Sequence, residues 1–464
     1  MKRVLLTGSV LGLIGLMAML PRPGATPVIK LITLDPGHFH AALVQKTSYE
    51  GVDPTVHVYA PAAATAGPSD LQLHLDRIKG YNTRADNPTH WQEEVYQGAD
   101  FLEQMIRQKA GNVVVMAGNN QRKTDYISQA VGAGFNVLAD KPMVISADKF
   151  DDLKAAFAMA RKNNVLLYDI MTERFEITTM LQRAFSQQSG VFGTLEKGTP
   201  DQPAVTKESV HYFYKNVSGS ILTRPAWFMD VRQQGEGIVD VTTHLVDLVQ
   251  WACFPNQVID YRNDIRLTGT RRWTTDMTLS QFRAITKLPA FPAYLRPAIR
   301  QDSVLQVYSN GQIDYQLRGV HARVSVTWAY KAPEGAGDTH HSVMRGTKAR
   351  LEIRQGVAER YKPMLYLVPA AGNTGFDAAV QAALPAIQRQ FPGVGVVRAE
   401  TGWRVTVPET YNEGHEAHFG RVMQHYLTYL RDGSMPAWEV PNMLAKYYTT
   451  TQALLVAKSE RAKE

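Results

Sequence analysis

Short apolar runs alternate with helical segments along the first third of the chain. The runs cover residues 28–34, 56–60, 113–117, 135–139 and 165–168. Segments with helical spacing lie between them, at 38–46, 91–109, 124–133 and 150–163. Strands that alternate with helices predict βαβ units and a parallel sheet. Residues 28–170 are therefore expected to form a doubly wound α/β domain.

The pattern changes after residue 170. Runs of alternating apolar and polar residues occupy 210–214, 262–267, 303–308, 312–317 and 322–328, with turn residues between them. Such alternation is typical of an antiparallel sheet. Helical segments lie at 177–186, 240–253, 416–431 and 442–462. Residues 171–464 are predicted to form a second α/β domain with an open, mostly antiparallel sheet, into which about 361–407 is inserted.

The N-terminus has the composition of an export signal. Lys2 and Arg3 precede an apolar stretch over 4–20, and the sequence Pro-Arg-Pro-Gly-Ala follows at 21–25. A charged start, an apolar segment and a small residue at the end are typical of a cleaved signal peptide. A retained N-terminal anchor and a buried helix are the alternatives. We expect residues 1–25 to be removed and the mature chain to be periplasmic.

Composition narrows the function classes. The single cysteine, Cys253, excludes an intramolecular disulfide, a four-cysteine zinc site and an iron–sulfur cluster. The formal net charge is +7, but the basic residues are scattered and form no run of four or more. Scattered charge favours a mildly basic surface over a nucleic-acid site. We therefore expect a small-molecule substrate, no nucleic acid, and no membrane contact beyond the signal segment.

The turn after the first strand departs from a dinucleotide-binding pattern. That pattern, G-x-G-x-x-G, lets the backbone approach a pyrophosphate at a helix N-terminus. In residues 35–40 only the middle glycine, Gly37, is present, and His38, Phe39 and His40 follow it. The second strand ends without the acidic residue that binds a ribose. The histidines could donate to a phosphate, or the turn could be an ordinary strand–helix connection.

Two other segments carry candidate acid–base chemistry. Asp140-Lys141-Pro142 follows a buried strand, and ligands of parallel sheets bind beyond the carboxyl ends of the strands. Lys141 could stabilise a substrate oxyanion there, or could be an ordinary surface lysine. Asp240 and His244 are four residues apart in a predicted helix, so they would share one face. They could form an acid–base dyad, or His244 could be a buried structural histidine.

Taken together, these segments resemble the glucose–fructose oxidoreductase/inositol dehydrogenase (Gfo/Idh/MocA) family. Asp140-Lys141-Pro142 is similar to the family's Glu-Lys-Pro motif, and residues 235–247 with Trp251 are similar to its Gly-x-Gly-x-x-Asp-x-x-x-His-x-x-Asp segment. Arg174-Phe175 resembles the Arg-Phe pair after the last strand. The resemblance covers roughly 28–350 and 415–460.

The resemblance implies a Rossmann domain, a second domain whose sheet mediates homo-oligomerisation, and an NAD(P)-dependent oxidoreductase acting on a sugar or cyclitol. It implies that Lys141 is catalytic and that Asp240 orients His244 as the acid–base pair. The cofactor contacts it implies are Asn119, Asn120, Asp140, Lys141 and Pro142. At the turn that departs from the family's glycine pattern, Gly37, His38, Phe39 and His40 are the candidate contacts of a cofactor held differently.

The eroded glycine turn and the export signal leave three hypotheses. The first is an exported oxidoreductase of a sugar or glycoside ring hydroxyl that holds NAD or NADP tightly. The second is an NAD-dependent glycoside hydrolase or lyase that acts through a transient keto-sugar. The third is a sugar-binding protein that has lost the cofactor.

Further polar and aromatic residues are candidates for substrate contacts. Two histidine clusters, at 340–341 and 415–418, could line a sugar cleft, bind a metal or be structural, and no metal site is assigned. The candidate substrate-binding residues are Arg174, His211, Tyr212, Trp227, Asp230 and His340.

Overall fold

The computed structural model describes residues 28–62, 69–217, 219–301 and 303–461. The export signal predicted at 1–25 lies outside these residues. The first domain is a six-stranded parallel sheet with strand order β3-β2-β1-β4-β5-β6 and helices on both faces. Its strands are β1 (Leu31–Leu34), β2 (Thr55–Ala60), β3 (Gln92–Gln97), β4 (Val113–Met116), β5 (Asn136–Asp140) and β6 (Leu167–Ile170), and its helices are α1 (His40–Val44), α2 (Asp70–Thr83), α3 (Phe101–Gln108), α4 (Lys123–Gly132) and α5 (Phe150–Lys162).

One predicted helix of this domain is wrong. Residues 91–109 contain strand β3 and helix α3, joined by a short connection that includes Gly98. β3 pairs only with β2, so it is an edge strand, and its side chains are mostly exposed or half-buried. A polar edge strand lacks the apolar run by which the inner strands were recognised.

The second domain is built on a large, mostly antiparallel sheet. In the described residues ten strands form it, in the order β10-β12-β13-β7-β14-β15-β16-β18-β17 with β11 beside β12, and only β7 and β13 pair in parallel. The predicted α/β class is confirmed. The elements are α6 (Ile177–Ser186), β7 (Val205–Tyr214), β8 (Asn216–Val217), β9 (Ser220–Ile221), α7 (Thr242–Cys253), β10 (Ile265–Thr278), α8 (Leu279–Thr286), β11 (Ile299–Arg300), β12 (Val304–Leu317), β13 (Val320–Lys331), β14 (Thr339–Arg345), β15 (Ala349–Arg354), β16 (Met364–Pro369), α9 (Phe376–Gln390), β17 (Gly395–Arg398), β18 (Trp403–Thr406), α10 (His415–Asp432) and α11 (Glu439–Arg461).

The segment predicted as an insertion is part of this domain. β16, β17 and β18 continue the large sheet, and α9 packs against α6. Phe376, Val380 and Ile387 of α9 lie in the same apolar core as the rest of the domain. Residues 361–407 therefore extend the sheet by three strands, and α9 extends the core.

The last two helices join the two domains. Phe419, Met423 and Tyr426 of α10 are buried in the core of the first domain, although α10 follows the second domain in the sequence. α11 contributes Tyr447 to the first core and Leu454 to the second. No helix in the described part of the chain has the length and apolar character that a membrane span requires.

Candidate active site

A cleft of about 1730 Å³ lies beside the carboxyl ends of the parallel strands. The first domain contributes the turn between β1 and α1 and the residue after β5, and the second domain contributes β7, β14 and the start of α7. Part of the segment 361–407, including Met364 and Arg404, forms a further wall of the cleft. Seven of the chain's thirteen histidines line the cleft: His38, His40, His211, His244, His340, His415 and His418.

Lys141 and Asp240 form an ion pair in the wall of the cleft. The Lys141 Nζ atom is 2.5 Å from Asp240 Oδ1, and both side chains are more than nine-tenths buried. Gln234 Nε2 donates to the other carboxylate oxygen at 3.2 Å. The expected hydrogen bond from the His244 ring to the Asp240 carboxylate is absent among the described contacts. α7 begins at Thr242, so Asp240 precedes the helix and does not share a helical face with His244.

His244 is a buried imidazole that lines the cleft. Its Nδ1 atom has no hydrogen-bond partner in the described part of the chain. Burial, and then the positive charge of Lys141, lower the pKa of His244 to about 4. The ring is therefore neutral at physiological pH and can accept a proton.

The turn before α1 places two further histidines beside Asp140, the last residue of β5. His40 Nδ1 is 2.8 Å from Asp140 Oδ2, and His38 Nδ1 is 3.7 Å from the same oxygen. Burial is the main reason that the pKa of each histidine lies well below its usual range. Lys141 is the next residue after Asp140, and the peptide bond between Lys141 and Pro142 is cis.

The space over Gly37 is filled by the chain itself. A Cβ atom on Gly37 would lie 2.8 Å from Asp70 Oδ2 and 3.0 Å from Trp227 Cζ2. The indole Nε1 donates to the same Asp70 oxygen at 2.7 Å. Two turn amides are also engaged: Gly37 N donates to Asp35 O, and His38 N donates to Ala117 O.

Two carboxylic acids add to this obstruction. Burial, and then Asp70, raise the pKa of Asp35 to about 7, and burial raises the pKa of Asp70 to about 6. A pyrophosphate at this turn would meet a buried acid, Asp35, a half-buried acid, Asp70, and an indole where it needs open amides. The residues at the turn, as the structure arranges them, therefore do not fit the pyrophosphate of a dinucleotide.

The predicted cofactor contacts after β4 are also engaged within the chain. Asn119 Nδ2 donates to Gln233 Oε1 at 2.7 Å, and Asn120 Nδ2 donates to the backbone oxygen of Gln234 at 2.7 Å. The backbone N–H of Asn120 donates to Gln233 O. These bonds hold the second domain against the ends of the parallel strands, where a cofactor was expected.

One side of the cleft carries a second set of charged groups. His211 Nδ1 is 2.8 Å from Asp338 Oδ2, and Lys215 Nζ is 2.6 Å from the same oxygen. The His211 ring stacks on Trp328, with ring centroids 5.1 Å apart. His340 also lines the cleft, and its buried Nε2 atom has no hydrogen-bond partner among the described residues.

Four predicted substrate contacts need correction. Arg174 lies in the interior, where its guanidinium binds Asp247 and Glu439. Trp227 is committed to Asp70, as described above. Tyr212 is buried and outside the cleft lining, and Asp230 binds Arg232. For Arg174, Trp227 and Asp230, a partner inside the fold takes the group that was expected to meet a sugar.

Two cleft residues were missed. Glu173, next to Arg174, lines the cleft and its Oε1 atom lies 3.2 Å from His415 Nδ1. Although burial opposes ionisation, His415 keeps the pKa of Glu173 well below its usual range. Arg224 lies over the rings of Phe228 and Trp328 and also lines the cleft. The sequence pointed to this region, because Glu173 directly precedes Arg174, the residue predicted to bind the substrate.

Three solved structures share the fold. A "putative oxidoreductase from Parabacteroides merdae ATCC 43184" is 52% identical, with 94% of this chain and 99% of that chain covered and a TM-score of 0.90. Levoglucosan dehydrogenase in complex with NADH and levoglucosan is 12% identical, with 93% and 97% covered and a TM-score of 0.56. An oxidoreductase from Agrobacterium radiobacter in complex with NAD+, L-tartaric acid and magnesium is 14% identical, with 94% and 97% covered and a TM-score of 0.53.

Family models cover both domains. "Oxidoreductase family, NAD-binding Rossmann fold" (GFO_IDH_MocA) matches residues 70–169, and "Putative oxidoreductase C terminal domain" (Oxidoreduct_C) matches residues 181–458. The comparison with curated proteins found no match. The first model matches only after the turn at 35–40, which is the part that departs from the dinucleotide pattern. The chain belongs to the Gfo/Idh/MocA family of oxidoreductases, with an NAD-binding type of Rossmann domain followed by the C-terminal oxidoreductase domain.

Proposed function

We propose that the chain is an oxidoreductase that interconverts a ring hydroxyl and a ring ketone of a sugar or glycoside bound in the cleft. The observation that carries this proposal is the meeting of the Lys141–Asp240 pair and neutral His244 in one cleft of about 1730 Å³. The family supplies the reaction class. The sugar-bound complex of levoglucosan dehydrogenase, which has the same fold, supports the substrate class.

The proton steps follow from the two groups that face the cleft. Oxidation of a carbinol carbon requires that the hydroxyl proton and a hydride both leave. The neutral imidazole of His244 accepts the proton, and a nicotinamide, when bound, would accept the hydride. The ammonium of Lys141 stabilises the oxygen as negative charge develops on it. Asp240 acts as a positioning residue, because it holds the ammonium in the wall of the cleft.

The cofactor expectation conflicts with the turn over Gly37. The Rossmann domain matches an NAD-binding family model. Tight retention of NAD or NADP stays a prediction, and a pyrophosphate does not fit the turn while Trp227 and Asp70 cover Gly37. The proton steps above use only groups of this chain. Absorbance and mass spectra of the purified protein test the prediction directly, since a retained nicotinamide is visible in both.

The same groups favour a second function, elimination from a keto-glycoside. A ketone at C3 acidifies the proton at C2, so His244 can remove that proton and Lys141 can stabilise the enolate oxygen. The electron pair then expels the C1 substituent, which leaves as an alcohol after protonation. This step needs no hydride acceptor when the substrate already carries the ketone, and the filled turn over Gly37 favours it for that reason.

Export and self-association are proposed alongside this activity. The sequence of residues 1–25, with Lys2 and Arg3 before an apolar segment, supports export to the periplasm. The resemblance to the family supports a homo-oligomer. The N-terminal mass of the chain from a periplasmic extract and its molar mass by light scattering check the two proposals.

The test compares Lys141→Met and His244→Gln with two control variants, Lys149→Met and His425→Gln. Each variant of the first pair should turn over a glycoside substrate of the wild-type protein at least about 100-fold more slowly, because each substitution removes a proton-transfer or oxyanion-stabilising group. Both controls change a lysine or histidine outside the cleft lining and should keep turnover.

The products separate the candidate functions. A keto-sugar formed with reduction of NAD(P) supports the oxidoreductase. Release of the aglycone from a keto-glycoside without NAD(P) supports elimination. Sugar binding with turnover in neither assay would overturn both in favour of a binding protein.

A further inference from the structure

The histidines of the first βα turn meet Asp140 in a cluster that the proton chemistry does not use. One ligand atom each from His38, His40 and Asp140 lies within 4.8 Å of the other two. The topology explains the meeting. β1 and β5 flank β4 in a parallel sheet, so the turn after β1 and the end of β5 lie at the same sheet edge.

We propose that His38, His40 and Asp140 form a binding site for a divalent transition metal ion, with an open coordination position facing the cleft. Two imidazoles and one carboxylate are a ligand set that zinc and related ions take in catalytic sites, where a water or substrate completes the shell. From the sequence, no metal site was assigned to these residues.

The distances suit such a site after a small adjustment. Ligand atoms bonded to one metal at about 2.1 Å are about 3.0–3.4 Å from one another. Asp140 Oδ2 is 2.8 Å from His40 Nδ1 and 3.7 Å from His38 Nδ1. The two separations therefore bracket the required value, and all three side chains are nearly buried, so little desolvation remains.

The open position would face the sugar. His38 and His40 both line the cleft, as does Lys141, the residue after Asp140. The charge of Lys141 is compensated by Asp240, which limits its repulsion of a cation. A metal here would hold a ring oxygen of the substrate as a Lewis acid. This role rests on the proposed function, whereas metal binding does not.

The competing interpretation is a simple hydrogen-bonded pair of His40 and Asp140. His38 separates the two, because its Nδ1 atom is too far from the carboxylate for a hydrogen bond but close enough to share a metal. A metal site therefore needs His38, and a hydrogen-bonded pair does not. His415 offers a matched control, since it lines the same cleft outside the three-residue cluster.

The experiment measures metal binding by the full-length, tag-free protein after treatment with EDTA. Zn²⁺ titration followed by calorimetry, and Co²⁺ titration followed by visible absorbance, should give one ion per chain. Loss of a ligand should weaken binding by at least about tenfold in His38→Ala and Asp140→Asn, while His415→Ala should stay within about twofold of the original affinity.

Circular dichroism of each variant establishes that it is folded. A wild-type chain that binds neither ion, or a folded His38→Ala variant with unchanged affinity, would overturn the proposal. Both readouts are independent of turnover, so a failed metal site and a failed oxidoreductase assignment are distinguished.

Discussion

Replacing Arg174 by methionine tests whether this residue stabilises the interior or binds a substrate. The guanidinium donates to both oxygens of Asp247, at 2.6 and 2.7 Å, and to Glu439 at 3.2 Å. Asp247 also accepts from Lys446, which is fully buried and 2.8 Å from Asp169. These groups come from both domains and from α11.

The expected loss of stability follows from burial. Asp247 and Glu439 are each only 1% exposed. Methionine at position 174 would leave Asp247 with a single cation, Lys446, and would leave Glu439 with tyrosine hydroxyls alone. Breaking a buried ion pair by removing one partner costs about 3–5 kcal/mol. For a chain of 464 residues that unfolds as one unit, with an unfolding entropy of about 2.1 cal/mol/K per residue, this lowers the melting temperature by roughly 3–5 °C.

The assay is thermal unfolding together with urea unfolding of Arg174→Met. Arg183→Met is the control, because Arg183 is only half-buried and lies over the Trp251 ring at 4.2 Å. A contact of this kind is worth about 1 kcal/mol. An unchanged melting temperature for Arg174→Met, combined with a raised KM for the sugar, would refute the structural role and restore the substrate contact.

Two further predictions concern the turn over Gly37. Asp35→Asn should stabilise the fold at pH 8 by at most about 4 kcal/mol, with no gain near pH 4. The reason is that the raised pKa of Asp35, about 7, makes the stability of the wild-type protein fall as pH rises from 3.8 toward 7. Urea unfolding at several pH values measures the difference, and a difference that does not change with pH would contradict this cause. Trp227→Ala should strengthen NAD binding in calorimetry, because it removes the indole from the face of Gly37; tight binding by wild type with no change in the variant would show that the turn does not limit the cofactor.

Much of the fold could be predicted because apolar runs identify buried parallel strands. β1, β4 and β6 are completely buried, β5 is buried except at Asn136, and each appears as such a run. β3 could not be recognised, since an edge strand exposes its side chains and keeps polar ones. The strands of residues 361–407 were missed for another reason: they are short and separated by helix α9, so no long alternation is visible.

The candidate site was predicted in part, for local reasons. Lys141 was found because a position directly after a parallel strand sets its place in the fold. The partner of Asp240 was not, because the helix starts at Thr242, two residues later than predicted, so that Asp240 lies outside it. Trp227 was chosen as an aromatic near the dyad, but which surface an exposed-looking tryptophan covers depends on residues far away, here Asp70 and Gly37.

The first βα turn accounts for both the cofactor conflict and the metal proposal. In a glycine-rich turn the backbone amides are the binding groups, and a missing side chain lets an anion reach them. In this chain the amides of Gly37 and His38 donate within the fold, and an indole covers Gly37. The binding groups that the turn presents to the cleft are instead the imidazoles of His38 and His40, beside the carboxylate of Asp140. Neutral imidazoles and a carboxylate attract a cation more readily than they attract an anionic pyrophosphate. The sheet edge that binds a pyrophosphate in a glycine-rich turn is therefore suited to a metal cation in this chain.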